Sequence, residues 1–532
     1  MWRRGFAQAC TGESPVTTQT SAERHVLGSS YLLRRSHLRG QECPRYTYDL
    51  LLSIEKLVYG GNGLARAPAG ADGRSMAVFV PFVLPGERVE AEIPQHTPGF
   101  ARASVTHLIE ASPDRVEARC PYFQQCGGCH YQHISYQRQL EFKAEILRET
   151  LQRIAKIELQ SEIQLHASPP WNYRNRTRLQ VRTAPEFPPQ NGKTGRSGGS
   201  GFALGYLRSG SQEFLAVREC PISSPLINRT MARLLELGGL NCPAGVEEME
   251  LFADAADEQL LAWAFCRREA DRGDLLRWAE ALVGELPEVS GLTLFASRQR
   301  TSAGRSSPRR SSPRGSSVRP SSTRRSLQKE DADDASVDAK PLAQSGAKSI
   351  RYRAGNHEYL VSSGAFFQVN RYLIDELIPV VTGNASGEVA LDLYAGGGLF
   401  SAALAKNFHH IFAVEASQTS HGDLVQNVPA NVKAVGARAE DYLKSVYLKS
   451  WTGRGRPDLV VLDPPRTGAG KAVTNALLEL GAPQVRYVSC DPATLARDIA
   501  PFMAAGYRIE EAHLFDLFPE TYHIETVLLL AR

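Results

Sequence analysis

Two side chains in the last tenth of the chain have the chemistry that covalent catalysis requires. Cys490 lies in YVSCDPATLARD, where an apolar strand gives way to a helix. Asp491 suits the N-cap and Pro492 the first helical position. A thiol beside a helix N-terminus has its thiolate stabilised by the helix dipole, which makes Cys490 a candidate nucleophile. Glu525 lies in FPETYHIETVLLL, at the mouth of another apolar strand. A carboxylate so placed tends toward a raised pKa, which suits proton abstraction near neutral pH. Taken singly, each residue is ordinary, since buried cysteines and exposed strand glutamates are common.

Other residues have the spacing of a nucleotide pocket. Residues 389–400, VALDLYAGGGLF, form an apolar strand carrying an acid, followed by a glycine-rich turn into a helix. Gly396, Gly397 and Gly398 let backbone approach a ligand closely, and the helix N-terminus favours its polar atoms. The next strand ends at Glu415, whose carboxylate could accept both ribose hydroxyls. The turn has no G-x-G-x-x-G pattern, which favours S-adenosylmethionine over a dinucleotide. A third strand, DLVVLDPPR, ends in Asp463-Pro464-Pro465-Arg466. Two prolines cannot extend a strand, so they fix an elbow at its carboxyl end, where open α/β sheets bind ligands. Asp463 would sit there beside the transferred group.

A third constellation is cysteine-rich. Cys120, Cys126 and Cys129 fall within ten residues, and nine cysteines in a chain of 532 are too few for a disulfide scaffold. Such crowding reads as a metal site, and spacing alone permits zinc or an iron–sulfur cluster equally.

These groups need elements to position them. At 532 residues the chain predicts two to four domains, and 42% apolar with 22% charged residues is a soluble, globular composition. A net charge of +4 says little about nucleic acid. No apolar run is long enough to cross a membrane, so no membrane partner is expected. The arginine-containing, acid-poor start lacks an apolar core, which argues against a secretory signal; it is compatible with an organelle transit peptide, but a disordered extension of a cytoplasmic protein is the favoured reading. Residues 1–45 read as a disordered extension, and 46–110 as a small all-β barrel with turns at Gly60-Gly61 and Pro85-Gly86. The segment 135–154, SYQRQLEFKAEILRETLQRI, carries Leu140, Ile146, Leu147 and Leu151 at helical spacing with charges between, as an amphipathic helix. Residues 111–360 read as a central α+β domain containing the basic strand Tyr173–Arg182, a loop at about 185–200 and a low-complexity insertion at 297–350. That insertion is basic and then acidic, and reads as a solvated surface loop. From 361 to 532, strands alternate with helices, the pattern of a doubly wound, Rossmann-like α/β domain.

With these residues assembled, the chain resembles the RNA 5-methyluridine methyltransferase family, specifically the bacterial 23S rRNA (uracil-5-)-methyltransferases. The resemblance runs from about Tyr48 to Arg532, and its most specific motifs are SCDPATLARD and FPETYHIETV. It implies Cys490 as nucleophile toward carbon 6 of a uracil and Glu525 as the base that removes the carbon-5 proton. It implies donor contacts from Gln368 in SSGAFFQVN, from Tyr394 and the backbone near Leu399, and from Glu415 and Asp463. The family usually has a polar residue where Leu399 stands, and Arg438, followed by Glu440 and Asp441, falls where an acid near adenine is expected. The resemblance also implies a [4Fe–4S] cluster on Cys120, Cys126, Cys129 and Cys220, and a TRAM-type, OB-like RNA-binding barrel over 46–110. Lys56, Tyr59, Arg66, Arg74 and Arg102 are its candidate RNA contacts, and Tyr173-Arg174-Asn175-Arg176 matches a family signature with either an RNA-holding or a structural role. The implied partner is RNA, as a single-stranded or looped uridine of 23S rRNA, met by a monomeric enzyme. A tRNA target, or another RNA methylation chemistry, is the alternative. Amine methylation is disfavoured because Arg466 stands where an aromatic residue would follow the two prolines.

Overall fold

The computed structural model describes residues 49–67, 75–97, 99–183, 201–297, 337–449 and 456–532. The readings made for residues 1–45, the loop at 185–200, most of the low-complexity insertion and Arg74 fall outside these described residues.

Strands β1 (Asp49–Val58), β2 (Asn62–Ala67), β3 (Met76–Pro81), β4 (Arg88–Thr97) and β5 (Phe100–Glu110) close into a barrel in the order β1-β2-β3-β5-β4. Alternation dictates its interior: Leu52, Ile54, Val78, Val80, Val89 and Ala91 point inward and are buried. Gly60 and Gly61, at φ +101° and +82°, turn the chain between β1 and β2, a conformation that side chains with a Cβ resist.

The helix Tyr136–Thr150 follows the barrel, with Leu140, Ile146 and Leu147 on its buried face as their spacing requires. Two polar residues share that face. Lys143 Nζ donates to Asp516 Oδ1 at 2.6 Å and to the carbonyl of Phe518 at 3.1 Å, and both members of the ion pair are fully buried. Gln139 spans the same loop, its amide donating to Glu520 Oε2 at 3.1 Å and its oxygen accepting from the Glu520 N–H at 3.0 Å. The helix thus clamps the segment that leads into Glu525.

A seven-stranded sheet occupies the middle of the chain, in the order Ala343–Gly346, Val289–Ala296, Leu260–Cys266, Val246–Ala253, Arg176–Thr183, Phe202–Leu207, Phe214–Ala216. Successive side chains face opposite ways: Leu251 and Ala262 pack with the helices Pro225–Glu236 and Arg272–Glu285, whereas Phe252 and Trp263 pack with Tyr352 and Phe367. Residues 337–350 are ordered, so the low-complexity reading runs too far toward the C-terminus. Val337 and Ile350 are buried, and Leu342 packs against the core, enough apolar contact to fix the segment.

The third layer system is an eight-stranded sheet. Its order is Val432–Gly436, Phe408–Glu415, Gly387–Leu393, Leu459–Leu462, Gln484–Ser489, Glu525–Ala531, Arg508–Phe515, Ile163–His166. The first five strands are parallel, and Glu525–Ala531 runs antiparallel to its neighbours on both sides. The order reverses between Gly387–Leu393 and Leu459–Leu462, and open sheets of this type bind ligands outside the strand ends at such a point. One strand comes from elsewhere: Ile163–His166, in the central segment of the sequence, pairs in parallel with Arg508–Phe515. Among the described residues no helix is long and apolar enough to cross a membrane.

Removing one member of the buried Lys143–Asp516 pair leaves an uncompensated charge. Lys143→Met is therefore expected to cost about 3–5 kcal/mol of unfolding free energy. Lys143→Met with Asp516→Leu should recover most of that loss, as read from urea denaturation of the two variants.

Candidate active site

The ends of the central strands converge on one cavity of about 700 Å³. Its wall contains Gln368, Tyr394, Leu399, Glu415, Asp463, Cys490 and Glu525, so the structure brings both proposed reactive residues and all five proposed donor contacts together.

The donor side is built from the turn after Gly387–Leu393. Tyr394 (φ +64°), Gly396 (φ +55°) and Gly398 (φ +92°) all adopt left-handed backbone. A Cβ on Gly398 would stand 2.8 Å from Leu424 and 2.9 Å from Val428, so only glycine lets the turn close onto the helix Gln418–Asn427. Leu399 opens the helix Leu399–Leu404, where backbone N–H groups lack intrahelical partners and can serve a ligand. Glu415 accepts from the N–H groups of Gly396 at 2.9 Å and Ser417 at 2.6 Å, which fixes its carboxylate at the rim. Asp338, just beyond the low-complexity sequence, lines the same rim and accepts from Ser417 Oγ at 2.8 Å and the Thr419 N–H at 3.0 Å. No motif marked it. Arg438 and Glu440 are also in the wall, whereas Asp441 is not.

Gln368 is held from behind by the Tyr173-Arg174-Asn175-Arg176 signature. Asn175 Nδ2 donates to the Gln368 carbonyl at 3.1 Å, and the Asn175 N–H to the Val369 carbonyl at 3.0 Å. Arg176 is buried, paired with Glu250, and donates to the Ala365 carbonyl at 2.8 Å. Asn175 and Arg176 therefore brace the segment that carries Gln368, the structural one of the two roles the sequence left open for this signature.

The acceptor side joins two strand ends. Cys490 follows Gln484–Ser489, and Asp491 caps the helix Pro492–Ala504 by accepting from the N–H groups of Ala493 (3.0 Å) and Thr494 (2.8 Å). The capping is as the sequence predicts. Burial, and then the adjacent Glu525, push the Cys490 thiol well above its ordinary value. Burial, and then Asp463, likewise push the Glu525 carboxyl far up. Arg466 opposes both shifts, and the sequence reading gave it no such part. Thr494 Oγ1 donates to the Arg466 carbonyl at 3.1 Å, tying the elbow to the helix that follows Cys490.

Cys120, Cys126, Cys129 and Cys220 line a second cavity of about 250 Å³, and all four are unpaired thiols. Burial raises Cys126 to about 11 and pushes Cys120 and Cys129 up as well, with Cys220 adding to each shift. The Gly128 N–H donates to Cys126 Sγ at 3.4 Å, and the Gly127 N–H to the Leu207 carbonyl at 3.1 Å. Among the described residues no three His, Cys, Asp or Glu side chains gather closely enough to hold a single metal ion.

A 23S rRNA (uracil(1939)-C(5))-methyltransferase RlmD from Halomonas elongata is 33% identical over 90% of this chain and 89% of its own length. The chain belongs to the RNA (uracil-5-)-methyltransferase family. The family model for tRNA (uracil-5-)-methyltransferases matches residues 344–532, and that for the TRAM domain matches 46–106. An uncharacterised RNA methyltransferase from Halalkalibacterium halodurans is 29% identical over 92% of this chain and 98% of its own. In fold, the chain is similar to the solved Pyrococcus abyssi tRNA (uracil-54, C5)-methyltransferase, in complex with S-adenosyl-L-homocysteine. The TM-score is 0.61 at 21% identity, covering 91% of this chain and 100% of that one. This RNA (uracil-5-)-methyltransferase is accordingly a transferase that uses S-adenosylmethionine.

Among the carboxyls that line this cavity, Asp463 is raised to about 7, chiefly by burial and then by Glu415. Below that pH its carboxyl is neutral, and above it the carboxylate would attract a cationic sulfonium. Affinity for S-adenosylmethionine is expected to rise as pH increases through about 7, whereas S-adenosylhomocysteine, with no sulfonium, should respond less. Calorimetric titration of both ligands across that pH range checks the difference.

Proposed function

We propose that this chain methylates carbon 5 of a uridine in 23S rRNA through a transient bond between Cys490 and the pyrimidine ring. One observation supports this most: Cys490 and Glu525 line the same cavity as Gln368, Glu415 and Asp463. Carbon 5 of uracil is too weak a nucleophile to take a methyl group unaided. Addition of the Cys490 thiolate to carbon 6 moves an electron pair into the ring and makes carbon 5 nucleophilic. S-adenosylmethionine supplies the electrophilic methyl group. The Glu525 carboxylate then takes the carbon-5 proton, and the released pair restores the ring double bond as the sulfur departs. Arg466 favours the charged forms of both Cys490 and Glu525, while Asp463 strengthens Glu525 as a base by opposing its ionisation. The uridine must leave its stack to enter so enclosed a site.

The rRNA assignment draws on the Halomonas relative's named substrate and on the barrel and four cysteines that accompany the catalytic segment. The reading includes a cytoplasmic monomer, and the seven cysteines among the described residues, all free thiols, suit a reducing compartment. It divides the chain into the barrel at 46–110, a central domain at 111–360 and the catalytic domain at 361–532. Cys120, Cys126, Cys129 and Cys220 would hold a [4Fe–4S] cluster. Four free cysteines lining one cavity supply the four thiolate ligands that such a cluster needs. When bound, it would link the 120–129 loop to the segment before the helix Pro225–Glu236.

RNA bearing 5-fluorouridine at the target should form a denaturation-resistant adduct, because fluorine cannot leave as a proton. Cys490→Ala should abolish the adduct, and an adduct that persists in this variant would remove Cys490 from its role. Glu525→Gln should accumulate methylated covalent complex on ordinary RNA; free product at the normal rate would exclude it as the base. Protein purified without oxygen should be brown, with iron and acid-labile sulfide in equal amounts, whereas colourless protein carrying one zinc would overturn the cluster.

A further inference from the structure

The barrel's turn between β1 and β2 does not face open solvent. Tyr59, at the end of β1, reaches across to the catalytic cavity and donates from its hydroxyl to the carbonyl oxygen of Cys490 at 3.3 Å. Its ring meets that of Tyr522 edge-on, with centroids 5.5 Å apart, and Tyr522 lies three residues before Glu525. Tyr522 in turn packs edge-on against His130, at 4.6 Å, next to Cys129. A Cβ on Gly61 would stand 3.1 Å from His130, so the turn is seated closely against the cysteine loop. That loop is itself fastened to the base segment, because the N–H groups of His130 and Tyr131 both donate to the Glu520 carbonyl at 2.9 Å.

The carbonyl that Tyr59 engages sits at a break in secondary structure. Ser489 is the last residue paired in the strand ladder, Asp491 is the helix cap, and Pro492 has no N–H to offer. Holding that carbonyl restrains the backbone of Cys490, from which the sulfur-bearing side chain projects. Burial, reinforced by the neighbouring Asp491 carboxylate, keeps the Tyr59 hydroxyl protonated and therefore a donor. By contrast, the charged barrel residues pair at the surface, Lys56 with Glu149 at 2.6 Å and Arg66 with Glu55 at 3.6 Å.

We infer that Tyr59 is a positioning residue for the methyl-transfer reaction: the barrel supplies the hydroxyl that orients the nucleophile's peptide, in addition to any RNA contact it makes. This inference rests on the reading of Cys490 as nucleophile. The barrel is then a working part of the catalytic centre, and RNA gripped by its outer face is registered directly against the attacking sulfur.

The test is single-turnover formation of the 5-fluorouridine adduct by the full chain at saturating RNA and donor. Tyr59→Phe keeps the ring against Tyr522 and removes only the hydroxyl. It should slow adduct formation about five- to tenfold, the worth of one hydrogen bond, while RNA affinity stays within about twofold. Tyr59→Ala, losing ring and hydroxyl, should slow it by about a hundredfold, the scale of a misplaced reacting group. Adduct amplitude counts the correctly folded fraction, so a folding defect lowers amplitude, whereas mispositioning lowers the rate. An unchanged rate for Tyr59→Phe, or a loss confined to amplitude or to RNA affinity, overturns the inference and leaves Cys490 intact as nucleophile. Failure of the underlying reading looks different: the adduct would then survive Cys490→Ala.

Discussion

Asp463, Glu525 and the Cys490 thiol line one strand-end cavity, Asp392 is buried in the adjoining strand Gly387–Leu393, and each is pushed toward its neutral form. Desolvation is the first cause in every case, with neighbouring acids adding to it. Such a site resists carrying several negative charges at once, and Arg466 is the cation that moderates it from the elbow. The cost of burying these groups is borne by the surrounding scaffold. Two prolines make the elbow rigid, Asp491 caps the nucleophile's helix, and left-handed backbone at Tyr394, Gly396 and Gly398 closes the donor turn. The same low-polarity surroundings that keep the groups neutral at rest strengthen their attraction to a sulfonium or to a charge developing in the ring.

Much of this was legible in the sequence because the motifs sit where secondary structure changes. YVSCDPAT announces a strand end, a cap and a helix start, and all three are found. Strand–helix alternation after 361 gave the α/β sheet, and alternation in 46–110 gave the barrel. What escaped the sequence depends on partners distant along the chain. Lys143 and Gln139 looked like the polar face of an amphipathic helix, yet both are buried because Asp516 and Glu520, more than 350 residues later, receive them. For Arg176 the sequence left an RNA-holding and a structural role open, and its inward pairing with Glu250 and the Ala365 carbonyl is set by residues distant along the chain. The helix start beside Cys490 is a local feature, whereas the burial beside Glu525 that pushes its thiol up depends on the folded cavity. Tyr59 was read as one of several barrel aromatics and cations, because nothing in its own neighbourhood names Cys490.

Segments from all parts of the chain meet behind the base. The base segment 516–523 is held by Lys143 and Gln139 from the helix after the barrel, by the N–H groups of the cysteine loop, and by Tyr59 of the barrel packed against Tyr522. The donor loop is held by Asn175 and Arg176 of the middle sheet. Precision at reacting atoms therefore comes from buried backbone contacts made by residues that touch neither donor nor uridine, the support such sites need.

The strand Ile163–His166 at the edge of the catalytic sheet carries a consequence for biogenesis. On the ribosome this strand emerges early, whereas Arg508–Phe515, against which it must lie, is made only as synthesis nears completion. Contacts so far apart form late, and until then both edges offer unpaired peptide groups to any other extended chain. A nascent polypeptide of this design has reason to depend on chaperones during that interval, and assembly of the catalytic layer must wait for translation to finish.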